Sequence, residues 1–228
     1  MTKTLNVAMI GGGFMGKAHA MAYAAMPMFF WPAPAIPHRK VVVDLTEGAA
    51  QDARDRFGFD EASSDWKATV NCTDIDIVDI CTPNNAHAEI AIEALKAGKH
   101  VICEKPLAST LEESVAMVKA ARASGTTTMV AFNYRRTPAV ALAKKFIEEG
   151  KSGDVINFRG TYLQDWSADP NGPLSWRFQK SIAGSGAVGD IATHVVDMAN
   201  YLVGPIDTVQ AITPTYVKTR PIQQGGVD

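Results

Sequence analysis

The sequence predicts an α/β protein that begins with a doubly wound parallel sheet and continues into a partial α+β domain with an open, mostly antiparallel sheet. An apolar run at residues 5–10 leads into Gly-x-Gly-x-x-Gly and then into a helical pattern. Strand and helix patterns alternate as far as residue 132, as they do in parallel sheets covered by helices on both faces. The first domain is therefore expected to have a Rossmann fold.

The elements of the first domain are predicted from apolar periodicity and from the residues that end each pattern. The first helix, Phe14–Ala25, is expected to stop before four prolines that lie between residues 26 and 37, because proline interrupts helical hydrogen bonding. The other predicted helices are Glu47–Phe57, His87–Ala97 and Leu111–Ser124, the last two ending at Gly98 and Gly125. The predicted strands are Leu5–Ile10, Lys40–Asp44, Asp76–Cys81, His100–Cys103 and Thr127–Phe132.

The pattern changes near Phe132, which we place at the boundary between domains 1–132 and 133–228. Helices are predicted at Ala139–Glu149 and Ala187–Leu202, and strands at Val155–Leu163 and Thr208–Val217. A sheet of two strands has edges that need further strands or a partner. We therefore interpret the chain as a C-terminally truncated molecule.

Composition argues against several classes of function. The 228 residues carry a net charge of −2 without a basic run, so nucleic-acid binding is not expected. No apolar stretch has the length of a membrane span, and residues 1–4 are expected to lead directly into the first strand and not to belong to a signal peptide. The three cysteines lack metal-ligand spacing, and an odd number is typical of the reducing cytoplasm. We expect a cytoplasmic protein without a metal site.

The glycine segment predicts a dinucleotide site. Gly11 permits the tight turn, Gly13 lets a pyrophosphate approach the backbone, and Gly16 lets the helix pack closely on the strand. Phe14 and Met15 begin the helix, whose unpaired N–H groups are expected to face the phosphates.

Asp44 ends the second predicted strand, where a carboxylate accepts hydrogen bonds from the adenosine ribose. It would repel the 2′-phosphate of NADP, so NAD is favoured. Arg39 and Lys40 lie nearby and leave NADP as an alternative. Asp44 has an alternative role as the cap of the helix that begins near Glu47.

Six motifs together resemble the Gfo/Idh/MocA family, named after glucose–fructose oxidoreductase, inositol dehydrogenase and a rhizopine-catabolism protein. They are the glycine segment, Thr82-Pro83-Asn84-Asn85-Ala86-His87, Glu104-Lys105-Pro106, Asn133-Tyr134-Arg135, Trp176-Arg177 and the run from Gly184 to His194. The resemblance covers nearly the whole chain. It implies an NAD(P)-dependent dehydrogenase that moves a hydride between nicotinamide and a secondary alcohol of a sugar, anhydrosugar or cyclitol. The family's second domain usually continues through further strands that form the subunit interface, so the resemblance implies a homo-oligomer in the full-length form.

Three residues are the candidate catalytic groups. Lys105 follows a strand at the carboxyl edge of the sheet, where such sheets bind ligands, and beside a nicotinamide cation its pKa would fall and it would donate or relay a proton. The alternative is an ordinary surface lysine. Asp190 and His194 are four residues apart and are expected on one helix face. The resemblance implies that His194 is the general base and that Asp190 binds the substrate hydroxyl or orients the base. For Asp190 the alternative is a favourable charge near a helix start.

Other positions complete the predicted cofactor site. Thr82, Asn84 and His87 follow another strand end, although turn and N-cap chemistry alone would explain Asn84. The resemblance adds Glu104, Asn133, Trp176 and Arg177. The remaining histidines, His19, His38 and His100, have no partners at catalytic spacing and are interpreted as structural or solvated.

Two other functions remain open at this point. Some relatives cleave glycosides with a tightly held NAD that is recycled, which would give hydrolysis without net NADH. A truncated relative would instead be a non-catalytic, nucleotide-binding regulatory protein. The polar and aromatic loop from Tyr162 to Trp166 suits a polyol, and it resembles the anhydrosugar branch of the family together with the proline-rich insertion.

Overall fold

The computed structural model describes residues 2–222, and its contacts divide the chain into two compact units, Met1–Ala131 and Phe132–Asp228. The first unit contains one sheet of six parallel strands. The strands are β1 (Lys3–Ile10), β2 (Ala35–Val43), β3 (Glu61–Ser63), β4 (Ile77–Ile80), β5 (His100–Cys103) and β6 (Thr128–Val130). Their order is β3-β2-β1-β4-β5-β6. The order reverses between β1 and β4, and the carboxyl ends of strands at such a point border the ligand crevice. The predicted Rossmann sheet is confirmed.

Helices connect the strands of the first unit and make up most of the regular structure of the second. The α-helices are α1 (Phe14–Phe29), α2 (Glu47–Phe57), α3 (Trp66–Asn71), α4 (Asn84–Lys96), α5 (Leu111–Ser124), α6 (Pro138–Glu148), α7 (Lys180–Ala183) and α8 (Thr193–Leu202). The second unit also has two 3₁₀ helices, Asn133–Arg136 and Trp176–Phe178, and a π-helix, Val188–Ala192. Within the part of the chain that is described, no helix combines the length and the apolar character needed to cross a membrane.

The core of the first unit lies on both faces of the sheet. Val7–Ile10 and Val41–Val43 are buried along their whole length, as expected for parallel strands that are covered on both sides. Both ends of α2 and both ends of α5 lie at the predicted residues, because strong caps fix them. Helix α2 begins after Thr46 and ends before Gly58, and α5 begins after the Thr110 capping box and ends before Gly125.

Three predicted elements of the first unit have a boundary that is wrong by three residues or more. Helix α4 begins at Asn84 and not at the predicted His87. Helix α1 continues past residue 25 to Phe29 and includes Pro27, because a proline in the last turn removes only one helical hydrogen bond. Strand β2 begins at Ala35 and includes Pro37. It pairs with β3 only at Val41–Val43, so Pro37 lies where one side of β2 has no strand neighbour, which is where sheets accept proline. The short elements β3 and α3 were not predicted.

The second unit has no strand among described residues 132–222. The segments predicted as strands, 155–163 and 208–217, have no ladder partner there, so the predicted open antiparallel sheet is not formed within this range. A strand depends on hydrogen bonds to a neighbouring backbone, which an apolar pattern alone does not provide. Accordingly, the side chains of Ile156, Val209 and Ile212 are exposed.

The predicted α-helix Ala187–Leu202 is correct only from Thr193 onward. Residues Val188–Ala192 form the π-helix instead. Short π segments inserted before or within α-helices occur frequently at functional sites.

Candidate active site

The glycine turn between β1 and α1 lies at the carboxyl edge of the sheet. Gly11 has a φ of +102°, and a Cβ built there would lie 2.8 Å from the backbone of Cys81, so the turn requires glycine. A Cβ at Gly16 would lie 2.2 Å from the Gly11 oxygen, because α1 packs directly on the turn. A Cβ at Gly13 would meet no described atom within 4 Å. The space at the N-terminus of α1 is therefore open.

The first turn of α1 contains Phe14 and Met15, and it has no acidic residue. The first N–H groups of a helix have no partner within that helix, and the positive end of the helix dipole favours an anion there. This terminus therefore suits a phosphate.

Asp44 follows β2 and holds the glycine turn. Its Oδ2 accepts a hydrogen bond from the Gly12 N–H at 2.9 Å, and its Oδ1 accepts one from the Leu45 N–H at 2.7 Å. The suggestion that Asp44 caps α2 is wrong, because Thr46 is the cap and accepts from the Ala49 N–H. A carboxylate has about four acceptor positions, so Asp44 keeps capacity for further donors.

The loop after β4 carries three predicted site residues. The Thr82 hydroxyl is buried and has no hydrogen-bond partner in the described part of the chain. Asn84 is buried and begins α4, while Pro83 occupies the cap position. His87 is fully buried: its Nδ1 lies 3.0 Å from the Pro106 oxygen and its Nε2 lies 2.9 Å from the Thr82 oxygen. Burial lowers the pKa of His87. Its ring therefore joins two loops, and the expected contact of His87 with a cofactor stays a prediction.

Glu104 and Lys105 follow β5 at the same edge of the sheet. Glu104 is buried, and its Oε2 accepts a hydrogen bond from the Lys105 N–H at 3.1 Å. Lys105 is half-buried and precedes a cis peptide bond to Pro106. Because β5 is the neighbour of β4, Lys105 and Thr82 follow adjacent strands.

Sequence reasoning missed a polar cluster beneath this edge. His19 was interpreted as structural or solvated, yet its ring nitrogens lie 2.9 Å from Asp79 and 3.1 Å from Glu104. Those partners are 60 and 85 residues away in the sequence, so spacing did not reveal them. The sequence did contain one signal of this cluster, Asp79, because a carboxylate within an apolar strand needs a buried partner.

In the second unit, His194 lies among aromatic rings. The Tyr134 ring centre is 4.6 Å from that of His194, and those of Tyr162 and Phe132 are at 5.8 and 6.2 Å. His194, Tyr134 and Tyr162 border a cavity of about 300 Å³ that Phe158 also lines. Aromatic and hydroxyl groups around one histidine suit a polar ligand with apolar faces.

A chain of hydrogen bonds begins at this cavity. The hydroxyl oxygens of Tyr134 and Tyr162 are 2.6 Å apart, and the Gln164 amide donates to the Tyr162 oxygen at 3.0 Å. The Trp166 indole N–H in turn donates to the Gln164 oxygen at 2.9 Å. The bond to Tyr162 raises the pKa of Tyr134 to about 12, because it favours the protonated phenol. These contacts fix the orientation of the hydroxyl groups beside His194.

Asp190 lies in the π-helix, and its N–H donates to the Gly186 oxygen at 2.9 Å. The prediction that Asp190 and His194 share one face assumed an α-helix, so it does not follow for this wider turn. Asp197, one turn beyond His194, is buried and pairs with the Arg135 guanidinium. The hydrogen bond to Asp197 raises the pKa of Arg135.

Three further predicted residues lie in the 3₁₀ helices of the second unit. Asn133 is exposed at the start of the first. Trp176 and Arg177 form the second, with the Arg177 guanidinium 4.5 Å from the centre of the Trp176 ring. This cation–π contact is local, and the expected contact of these residues with a cofactor stays a prediction.

Two family models match the chain. The model of an oxidoreductase family with an NAD-binding Rossmann fold matches residues 5–132, and that of the GFO/IDH/MocA C-terminal domain matches residues 140–228.

Similar proteins agree with these matches. Levoglucosan dehydrogenase of Pseudarthrobacter phenanthrenivorans is 65% identical over 226 residues, which cover 99% of this chain and 58% of that protein. A solved structure of levoglucosan dehydrogenase in complex with NADH and levoglucosan aligns with a TM-score of 0.95 at 65% identity, covering 96% of this chain and 59% of the other. An NAD-binding oxidoreductase from Klebsiella pneumoniae aligns with a TM-score of 0.92 at 43% identity, covering 97% and 59%. The chain therefore spans just under three fifths of the length of these relatives.

Proposed function

Because the chain belongs to the Gfo/Idh/MocA oxidoreductase family, we propose that it is an NAD-dependent dehydrogenase that oxidises a secondary alcohol of a sugar, anhydrosugar or cyclitol. The observation that carries the proposal is the likeness to levoglucosan dehydrogenase along almost the whole chain. An anhydrosugar is accordingly the first substrate to test.

The first unit fits a bound dinucleotide. The open space at Gly13 and the acid-free first turn of α1 suit the pyrophosphate. Asp44 has acceptor capacity for ribose hydroxyls, and the buried hydroxyl of Thr82 offers a polar contact at the crevice edge. We assign residues 1–132 to cofactor binding and residues 133–228 to substrate binding and subunit contacts.

NAD is the preferred cofactor in this proposal. Arg39, the first candidate partner for a 2′-phosphate, donates to the backbone oxygens of Gly58 and Ala20. Lys40, the second, pairs with Glu61 at 2.6 Å. Both cations have partners other than Asp44, whose carboxylate would repel the extra phosphate of NADP.

Lys105 and His194 have separate tasks in the proposed reaction. When bound, NAD accepts a hydride at its nicotinamide ring. His194 takes the proton of the substrate hydroxyl, since imidazole titrates near neutral pH. Lys105 donates a hydrogen bond to a substrate hydroxyl or relays its proton, and Asp190 binds the substrate or orients the base. Tyr134 and Tyr162 offer hydroxyl groups to the polyol and aromatic faces to its C–H surfaces.

Absorbance at 340 nm tests the proposal directly. Levoglucosan, glucose and myo-inositol are offered with NAD, and we expect NADH to form with at least one of them. Glycoside hydrolysis without NADH would support the NAD-recycling glycosidase instead. NAD binding without turnover of any sugar or cyclitol would support the regulatory protein. The cytoplasmic location and the homo-oligomer stay predictions.

A further inference from the structure

A polar cluster connects α1 to the ends of β4 and β5 in the first unit. His19 and Tyr23 belong to α1, Asp79 lies in β4, and Glu104 follows β5. His19 Nδ1 is 2.9 Å from Asp79 Oδ2, and its Nε2 is 3.1 Å from Glu104 Oε1. The Tyr23 hydroxyl donates to Asp79 Oδ2 at 2.7 Å.

This geometry favours a proton on both ring nitrogens of His19. A neutral imidazole carries one N–H, so its other nitrogen would direct a lone pair at a carboxylate. Asp79 is fully buried and Glu104 is 5% exposed. Two buried carboxylates without a cation would be costly, whereas an imidazolium donates to both.

The cluster also reaches the candidate catalytic lysine. Glu104 uses one carboxylate oxygen for His19 and the other for the Lys105 N–H. His19 is thereby joined through a single side chain to the backbone of Lys105. It stands on the helix whose N-terminus faces the predicted phosphate site.

We propose that His19 is a positioning residue, held as an imidazolium, that clamps Asp79 and Glu104 and so fixes Lys105 at the carboxyl edge of the sheet. This role rests on the proposed function, because it assigns to His19 the placement of the lysine used in hydride transfer. His19 itself does not touch the substrate.

Three titratable groups, Asp79, Cys81 and Glu104, face His19, and their balance is consistent with the cation. Burial alone would lower the pKa of His19, but hydrogen bonds from its ring to Asp79, Cys81 and Glu104, together with the charge of Asp79, raise it well above its usual range. Burial and the charge of Asp79 raise the pKa of Cys81 to about 12 and that of Tyr23 further still. The thiol and the phenol therefore stay neutral, and the positive charge lies on His19.

The alternative interpretation of this cluster is a metal site. Ligand atoms of His19, Asp79 and Cys81 all lie within 4.8 Å of one another. Metal binding needs a neutral histidine and a cysteine thiolate, which is the opposite protonation state to the clamp. The imidazolium clamp and the metal site are therefore distinguished by detecting the ring N–H protons of His19 and by measuring the metal content of the protein.

The first experiment observes the protons. In protein labelled with ¹⁵N-histidine, NMR at pH 8.5 is expected to show both ring nitrogens of His19 protonated. The His19 resonance is assigned from its loss in His19→Gln, or from its shift in Tyr23→Phe if that variant alone folds. A neutral His19 at this pH, or stoichiometric zinc that the variant loses, would overturn the proposal.

The second experiment compares His19→Gln with His38→Gln, a matched change at an exposed histidine that pairs with Asp60 at 2.8 Å. We expect kcat to fall by about 10²-fold in the His19 variant, with little change in the Kd of NAD. The His38 variant is expected to behave like wild type. Equal kcat in the two variants would contradict the positioning role. If wild type oxidises no alcohol, the proposed function fails, and the NMR result still decides the state of His19.

Stability provides a readout that is independent of turnover. A histidine whose pKa is raised by folding stabilises the fold fully below its unfolded pKa, and that contribution is lost as the pH rises towards the folded pKa. As the pH rises above the unfolded pKa of histidine, the folding constant of wild type relative to His19→Gln is expected to fall. A ratio that is independent of pH would show that His19 is neutral in the fold.

Discussion

The first unit places its polar site groups against a hydrophobic core, whereas the second unit surrounds its histidine with aromatic side chains. Apart from Ala183, every buried hydrophobic residue of the described chain belongs to the first unit. There, Asp79 and Glu104 are buried beneath the crevice edge and held by His19. In the second unit, His194 depends on contacts with Tyr134 and Tyr162, which are partly exposed. The comparison shows that buried polar contacts hold the site groups of the first unit, whereas the histidine of the second unit is surrounded by partly exposed aromatic side chains.

Removal of Lys105 is expected to have the largest effect and to separate chemistry from binding within the first unit. Lys105→Ala should lower kcat by about 10²–10⁴, the usual contribution of a group in acid–base catalysis. The Kd of NAD, measured by fluorescence titration, should hardly change. Lys96→Ala, at an exposed lysine of the same unit, is the control. A loss of NAD affinity equal to the loss of turnover would place Lys105 in cofactor binding instead.

Removal of Asp44 tests the adenosine end of the same unit. Asp44→Ala should weaken NAD binding by about 1.5–3 kcal/mol per charge-assisted hydrogen bond that is lost, while NADP binding should be less affected because the repulsion is also removed. The exposed residue Asp60 provides the matched change, Asp60→Ala. The expectation fails if both cofactors lose affinity equally.

A pair of glycine substitutions tests whether packing and cofactor binding can be separated. Gly16→Ala places a Cβ 2.2 Å from the Gly11 oxygen and should reduce the free energy of unfolding by about 1–3 kcal/mol. Gly13→Ala meets no described atom, so it should leave Tm nearly unchanged and weaken NAD binding. Thermal unfolding and NAD titration give the two readouts. Similar Tm values for the two variants would show that α1 does not pack tightly on the turn.

Local signals in the sequence predict the first unit well. The caps at Thr46 and Thr110 and the glycines at 58 and 125 fix α2 and α5 without help from distant residues. Prolines were less reliable as signals for the end of a helix or the start of a strand, since Pro27 lies inside α1 and Pro37 lies inside β2. In the second unit, strand patterns at 155–163 and 208–217 predicted a sheet, but pairing depends on partner strands that residues 132–222 do not provide.

The site residues also divide into those whose role is local in the sequence and those whose role depends on distant contacts. The roles of Gly11 and Gly16 are local, so their positions in the motif indicate them. His19 and His87 depend on tertiary contacts that the sequence did not indicate, and the expected contact of His87 with a cofactor stays a prediction. Tyr162 lies 28 residues from Tyr134, and sequence spacing gives no reason to pair them. Long-range hydrogen bonds therefore mark the limit of sequence reasoning here.

The His194→Asn variant tests most directly the claim that one unit binds the cofactor and the other handles the substrate proton. NAD affinity by titration and kcat from NADH formation are measured on the same preparation, with His38→Asn as the matched control. We expect an unchanged Kd for NAD and a kcat lower by about 10²–10⁴. Full turnover in the His194 variant would contradict the account and transfer the role of the base to Lys105.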